Sequence, residues 1–294
     1  MSNCLGFIGG SGLYDLDFLS NKKLLNIKSN YGQPSDNIIE GQLNGNKIYF
    51  LPRHGVGHKI SPSNINYRAN IDSLKQCGVS DIISLSAVGS LNESLDPGTF
   101  VIVDQFIDNT KNRKNTFFDE DIIAHVPMAN PTSKELMNLS KNILDSLDIK
   151  NVLGATYITI EGPQFSTFKE STLYKSWGCD LIGMTNMPEA KLCREAEIRY
   201  CSVSMVTDFD CWRSQDEQVN TELIINTMNQ NSRKSLKFIN NFIDKFYKGI
   251  DFSNDFTHNI LDTSIITNYK NWNKNSEKKL EYIIKRFKDN LLIK

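Results

Sequence analysis

Short apolar runs that end in glycine or another small residue recur along the chain, and they alternate with longer stretches of helical periodicity. This alternation is typical of α/β proteins, in which buried strands are separated by helices. It predicts an α/β fold with a central mixed, mostly parallel β-sheet flanked by helices. The predicted strands lie near residues 5–8, 47–51, 81–86, 100–104, 156–160, 180–184 and 200–206.

Three helices are predicted from apolar spacing and from residues that favour helix starts. Apolar residues between 136 and 147 fall on one helical stripe, and Thr132 and Glu135 have the spacing of a capping box before it. A second helix is expected to open at Pro188, because a first-turn residue does not need its N–H. A third is expected within 221–246.

The whole chain, residues 1–294, is expected to form a single domain, since it contains no internal repeat and no clear linker. From about residue 248 the character changes to a segment rich in Asn, Asp, Ser and Thr. Apolar residues at helical spacing follow, which predicts a loop and then a terminal amphipathic helix. The residues of that helical stripe are Leu280, Ile283, Ile284, Phe287 and Leu291.

Charge and targeting signals narrow the class of protein. Lys and Arg total 33 against 34 Asp and Glu, so there is no excess positive charge to attract nucleic acid. The start has no basic, apolar signal-peptide pattern and no run of ~18 apolar residues suits a membrane, so a cytoplasmic protein without a membrane partner is expected. Six scattered cysteines and four histidines show no metal-ligand spacing, so no metal is expected.

Three motifs at predicted strand ends suit an anion. Glycines around Ser11 let the backbone approach a ligand closely, and the Ser11 hydroxyl can donate to phosphate. Arg53 and His54 follow the next strand, where they would clamp one phosphate as a charged pair of donors. Ser86 and Ala87 end a third buried strand. Because ligands of open α/β sheets bind at such carboxyl ends, the three motifs predict one pocket, although each alone is also compatible with an ordinary turn.

Three further motifs suit a flat organic ligand. Phe165 follows a strand end, where its ring could stack on a base or sugar or belong to the core. Met184 and Thr185 end another strand. Asp208 and Asp210, two residues apart on an extended segment, point the same way and could face the edge of one ligand.

Taken in order, the motifs IGGSGLYD, LPRHG, SAVGSL, TIEGPQFS, GMTNMPEA and TDFDCW resemble the methylthioadenosine phosphorylase branch of the purine nucleoside phosphorylases. The likeness covers about two thirds of the chain. It implies phosphorolysis of S-methyl-5'-thioadenosine to adenine and 5-methylthio-ribose 1-phosphate, in purine and methionine salvage, with phosphate as co-substrate and no cofactor.

The resemblance also implies roles for individual residues. The phosphate would be bound by Ser11, Arg53, His54, Ser86, Ala87 and Thr185. Met184 would lie against the ribose and Phe165 near the base. Asp208, assisted by Asp210, would face N7 and the 6-amino edge of adenine as the catalytic pair. The 5' pocket would be lined by Ser166, Val219, Thr221, Ile224 and Ile225, with His125 borrowed from the neighbouring subunit of a homotrimer.

Other functions stay open at this point. A phosphorylase of 6-oxopurine nucleosides or of 5'-methylthioinosine would differ at the base, where this family branch has the TDFD motif. A nucleosidase would use water and leave Arg53 and His54 without an anion. A nucleoside-binding protein without catalysis is the non-enzymatic alternative.

Overall fold

A computed structural model describes residues 3–10, 13, 16–213 and 221–291, apart from the side chains of residues 221–224. In these residues eleven strands form one sheet. All seven predicted strands are present; the strand at 156–160 has the predicted bounds, and the other six differ at one or both ends. The strands are β1 Leu5–Gly9, β2 Ser20–Leu25, β3 Ile38–Leu43, β4 Asn46–Pro52, β5 Asp81–Ser90, β6 Phe100–Val103, β7 Gln105–Asn109, β8 Asn151–Leu153, β9 Thr156–Ile160, β10 Leu181–Gly183 and β11 Arg199–Phe209.

The sheet is mixed and mostly parallel, as predicted. One path runs β2-β3-β4-β1-β5-β10-β9-β7, and β11 joins the other side of β5 and continues through β6 to β8. Antiparallel pairing is confined to β2 with β3, β3 with β4, β10 with β5, and β11 with β6. Strand β5 is therefore central, with β11 along one side and β1 followed by β10 along the other.

Helices cover both faces of the sheet. Successive residues of its buried strands point to opposite faces, so neighbouring side chains pack against different helices. Phe7 packs in one core cluster with helices α2 and α5, whereas Ile8 packs in another with α1 and α4. The helices are α1 Tyr67–Gln76, α2 Lys134–Ser146, α3 Phe168–Ser176, α4 Asn186–Glu195, α5 Thr221–Phe246, α6 Leu261–Ser264, α7 Lys274–Lys279 and α8 Lys285–Leu291.

The predicted helices are all present, but the capping box is wrong. Helix α2 begins after Ser133, whose side chain contacts Glu135 and Asp255 instead of capping the backbone. Thr132 lies one residue earlier, and its hydroxyl donates to the sulfur of Met137. The start therefore depends on tertiary contacts of Ser133, which local spacing does not reveal.

The C-terminal segment folds as short helices, not as a loop with one terminal helix. A turn at residues 280–284 separates α7 from α8, and its apolar residues pack in the cluster with α1 and α4. The guanidinium of Arg286 binds both Glu197 and Asp262, which fixes this segment beside the amino ends of β5 and β11. Within the described part of the chain, no helix is long and apolar enough to span a bilayer.

Candidate functional site

The first three anion motifs lie together, as predicted. Strand β1 is between β4 and β5. Gly9, at the carboxyl end of β1, pairs with Pro52 at the carboxyl end of β4 and with Leu85 in the middle of β5. The backbone N–H of Arg53 donates to the Gly9 carbonyl at 2.9 Å. Ser11 is outside the described residues, but the neighbouring Gly10 faces Arg53, with a distance of 3.9 Å between a methyl group placed on Gly10 and Nη1.

An opening in the sheet forms the floor of the site. Strand β5 pairs with β1 as far as Leu85 and with β10 from Gly89 onward. Among the described strands, none pairs with residues 86–88 along this side. Ala87 is exposed even though it lies in the central strand, whereas Ser86 is buried. The edge of β5 is therefore open to a ligand where the motif SAVGS was expected to bind one.

Arg53 is held rigidly in the wall of this opening. Its side chain is 1% exposed, and Nε donates to Glu189 Oε2 at 2.9 Å. Nη1 donates to the Leu85 carbonyl, while Nη2 donates to Ser84 and to Glu189 Oε1. Burial alone would lower the pKa of Arg53, but the Glu189 carboxylate raises it above its usual value. The guanidinium is a fixed cation with most of its N–H groups already bonded.

His54 is neutral, which corrects the prediction of a charged pair of donors. Burial lowers its pKa to about 4, and the nearby Arg53 charge also opposes protonation. Its Nδ1 lies 2.8 Å from the Ile60 carbonyl, and because a carbonyl only accepts, Nδ1 carries the hydrogen. Nε2 of the neutral ring is then an acceptor.

Ser86 and Thr185 are brought together through Asn186. The Ser86 hydroxyl donates to Asn186 Oδ1 at 3.2 Å, and the Asn186 amide donates to Tyr200 and Ser202. Thr185 directly precedes Asn186 and is buried. The two hydroxyl residues predicted for phosphate therefore lie on adjacent elements, β5 and the start of α4.

Asp208, in β11, and Asp210, just after its end, lie beside Gly89 at the far end of the same opening. A bulge at Thr207 pairs Asp208 with Gly89, and a methyl group on Gly89 would lie 3.6 Å from Asp208 Oδ2 and 3.4 Å from Asp210 Cβ. Burial raises the pKa of Asp208, and Asp210 adds to the rise, although a hydrogen bond from Thr207 opposes it. Burial also raises the pKa of Asp210. Such carboxyl groups are suited to hold or transfer a proton.

The side chain of Met184 contacts the TIEGPQFS loop. A methyl group on Gly162 would lie 2.5 Å from Met184 Sδ, so the loop backbone rests directly on this side chain. The Ser166 carbonyl accepts a bond from Cys211, which places the loop next to the two acidic residues. Phe165 is not part of the core, because its side chain is 84% exposed.

The residues predicted for the 5' pocket and the subunit contact are less closely placed. Ile225 is half exposed on α5. His125 is exposed, and its backbone N–H donates to Ser264 in the C-terminal segment. Val219 and the side chains of Thr221 and Ile224 lie outside the described residues.

Sequence reasoning missed Arg113, which ties the segment at Met184 to the loop that begins at Glu161. Its side chain is 2% exposed, and Nη1 donates to the carbonyls of Met184 and Met187 at 2.7 Å each. Nη2 donates to the Glu161 carbonyl at 2.8 Å, and Nε binds the Glu161 carboxylate. No local pattern marks this arginine, because its partners are backbone atoms of distant segments.

No group of three or more metal-ligating side chains occurs in the described part of the chain. The arrangement instead combines an open strand edge, a fixed guanidinium, hydroxyl donors and two carboxyl groups with raised pKa. The family model of the phosphorylase superfamily matches residues 5–244, a range that includes every strand described above.

More specific relatives define the branch. The S-methyl-5'-thioadenosine phosphorylase of Rhodospirillum rubrum is 49% identical over 282 residues, 96% of each chain. A methylthioadenosine phosphorylase from an antarctic soil metagenomic library is similar in structure, with a TM-score of 0.89, 41% identity, and coverage of 96% of this chain and 98% of that one. The Schistosoma mansoni methylthioadenosine phosphorylase in complex with adenine has a TM-score of 0.84 and 31% identity, over 90% of this chain and 99% of that one. The chain belongs to the family of S-methyl-5'-thioadenosine phosphorylases.

Proposed function

We propose that this protein is a pentosyltransferase that cleaves S-methyl-5'-thioadenosine with inorganic phosphate, giving adenine and 5-methylthio-ribose 1-phosphate. The observation that carries the proposal is the open edge of β5 at residues 86–88, with Arg53 on one side and Asp208 on the other. A nucleoside bound across this edge would have its sugar between a phosphate donor set and a proton-holding carboxyl group. The names of the relatives agree with this chemistry.

The phosphate would occupy the Arg53 end of the opening. The last N–H of Arg53 and the hydroxyl groups of Ser11, Ser86 and Thr185 would donate to its oxygens, together with backbone N–H groups near Ala87. The neutral ring of His54 offers Nε2 as an acceptor for the hydrogen of hydrogen phosphate. Held in this way, one phosphate oxygen can attack the anomeric carbon without a metal or a cofactor.

The base would occupy the Asp208 end. As the bond between the anomeric carbon and N9 breaks, its electron pair moves into the purine, which gains a proton at N7. A carboxyl group with a raised pKa is a suitable donor there, with Asp210 assisting. The new carbon–oxygen bond forms on the opposite side of the sugar, with inversion. Overall, the proton that hydrogen phosphate loses balances the proton that adenine gains.

The ribose and its 5' group would contact Met184 and the loop that carries Phe165 and Ser166. An exposed phenylalanine and an exposed His125 are consistent with a second copy of the chain completing this end of the site. Following the family resemblance, we propose a homotrimer, with Val219, Thr221, Ile224 and Ile225 lining the 5' pocket. A cytoplasmic location remains a prediction of the sequence.

Product analysis with and without phosphate tests the proposal. Purified protein is incubated with 5'-methylthioadenosine, adenosine, inosine or 5'-methylthioinosine, and the free base is quantified by chromatography. We expect phosphate-dependent release of adenine, fastest from methylthioadenosine. Faster release from the inosine pair would contradict the assignment of Asp208. Ligand binding without turnover would favour a binding protein.

A further inference from the structure

Glu189 is a buried carboxylate with an unusually complete set of donors. It lies in the first turn of α4, and its side chain is 1% exposed. Oε2 accepts from Arg53 Nε, while Oε1 accepts from Arg53 Nη2, from Ser84 at 2.6 Å and from Tyr200 at 2.9 Å. Four hydrogen bonds therefore fix one carboxylate directly behind the guanidinium that faces the phosphate end of the opening.

Because Arg53 and Glu189 carry opposite charges, the wall of the site that they form has no net charge. Arg53 contributes one positive charge and Glu189 one negative charge, and both are withdrawn from water. His54 adds none, because it is neutral. Among the described residues with recorded bonds to Ser84, Ser86 or Asn186, Arg53 is the only cation.

The pairing also fixes which hydrogen of Arg53 remains available. Nε and both hydrogens of Nη2 point to protein acceptors, and one hydrogen of Nη1 points to the Leu85 carbonyl. Among the described residues, no hydrogen bond uses the other hydrogen of Nη1. Nη1 is also the atom nearest to Gly10, so this hydrogen is the one near the glycine turn.

We propose that Glu189 is a positioning residue that orients Arg53. As the counter-ion of Arg53, its carboxylate also lowers the affinity of the site for phosphate. The inference rests on the proposed function, because it requires phosphate at the Arg53 end of the opening. A dianion held by an uncompensated buried guanidinium would bind tightly and exchange slowly. Glu189 keeps the donor geometry while it lowers the affinity, so that phosphate can enter and the sugar phosphate can leave.

Glu189→Gln separates charge from shape, because glutamine has nearly the same size but no charge. It leaves Arg53 as a buried cation without a counter-ion, which is destabilising. Bound phosphate would then supply the missing negative charge. Removing a like charge from behind Arg53, at an effective dielectric constant of ~20, is expected to tighten phosphate binding by about tenfold or more.

The experiment measures the melting temperature against inorganic phosphate at constant ionic strength set with chloride, and the KM for phosphate and kcat with methylthioadenosine. Glu189→Gln is expected to melt lower than the wild type without phosphate, to gain more from phosphate, and to show a lower phosphate KM with a lower kcat. The matched control is Asp81→Asn, which uncovers the equally buried Arg199 at the opposite ends of the strands. Its stabilisation by phosphate should equal that of the wild type.

The outcomes separate the inference from the function on which it rests. A phosphate KM that rises in Glu189→Gln, or a phosphate gain no larger than in Asp81→Asn, would overturn the inference while phosphorolysis by the wild type stands. If the wild type releases adenine without phosphate and is not stabilised by it, the proposed function fails. If Glu189→Gln is insoluble, Arg53→Gln/Glu189→Gln decides: a soluble double variant supports charge compensation, and an insoluble one contradicts it.

Discussion

Replacing Asp208 by asparagine reverses the hydrogen-bonding character of the base end while keeping its shape. Asp208 Oδ1 already accepts a bond from Thr207 at 2.5 Å, so asparagine is expected to keep its carbonyl oxygen there. Its NH₂ group then takes the position of Oδ2, the oxygen on the Gly89 side. A group that could accept from the 6-amino group of adenine, or donate a proton to N7, becomes a plain donor.

The size of the effect follows from the two roles. Loss of a hydrogen bond to a charged group costs ~1.5–3 kcal/mol, or roughly 10- to 150-fold in kcat/KM for adenine nucleosides. Loss of general-acid assistance would add a factor of ~10² to 10⁴ for both base types. Hypoxanthine carries an acceptor oxygen at position 6, so the amide donor partly compensates for inosine. The adenosine-to-inosine ratio of kcat/KM should therefore fall by at least about tenfold.

The assay compares kcat/KM for adenosine, inosine and both 5'-methylthio nucleosides at saturating phosphate. The control substitution is Asp96→Asn, which changes an exposed residue paired with Lys150 and should leave all four values unchanged. An equal loss on adenine and hypoxanthine nucleosides would refute the base-reading role of Asp208, even if the variant is slow.

Three other perturbations probe the site and its support. Lysine in place of Arg113 cannot reach the carbonyls of both Met184 and Glu161, so kcat/KM should fall by about 100-fold, mostly through a higher KM for the nucleoside. The control Arg68→Lys, in an ordinary ion pair, should change kcat/KM little. Similar losses in both variants would contradict the positioning role of Arg113. Gly183→Ala places a methyl group 1.9 Å from the Tyr157 hydroxyl and should lower the free energy of unfolding in urea by ~1–3 kcal/mol or more. Tyr157→Phe should restore part of this loss. An unchanged unfolding midpoint in Gly183→Ala would refute the expected clash. The pKa of His54 is about 4 in the fold against 6.5 ordinarily, so its contribution to stability is complete above pH 6.5 and is lost as the pH falls toward 4. His54→Gln should reduce that acid loss of unfolding free energy, and an unchanged loss would count against a buried neutral ring.

The strands that were predictable from sequence are the buried ones. Their apolar runs stand out because both faces of the central sheet are covered by helices. Strand β2 was missed because its sequence SNKKLL is almost wholly exposed at the sheet edge and shows no apolar alternation. Strand β7 begins directly after the predicted strand at residues 100–104 and was not predicted as a separate strand.

The site was predictable where a motif supplies its own signal. Arg53, Ser86 and Asp208 each follow an apolar run, and sheet order then brings the run ends together. The roles of Arg113 and Glu189 carry no such signal, because most of their partners are 48 or more residues away in the chain. The neutrality of His54 also depends on burial, which a sequence motif does not specify.

Phosphorus NMR of a reaction mixture tests the central claim most directly, because it follows phosphate itself. Methylthioadenosine is mixed with inorganic phosphate and the protein, and adenine is quantified in the same sample. The account predicts a new sugar-phosphate resonance that grows as the inorganic phosphate resonance declines, in equal amount to the adenine released. Adenine release with the inorganic phosphate resonance unchanged would mean that water attacks the sugar, and it would contradict a phosphate site at Arg53 and the open edge of β5.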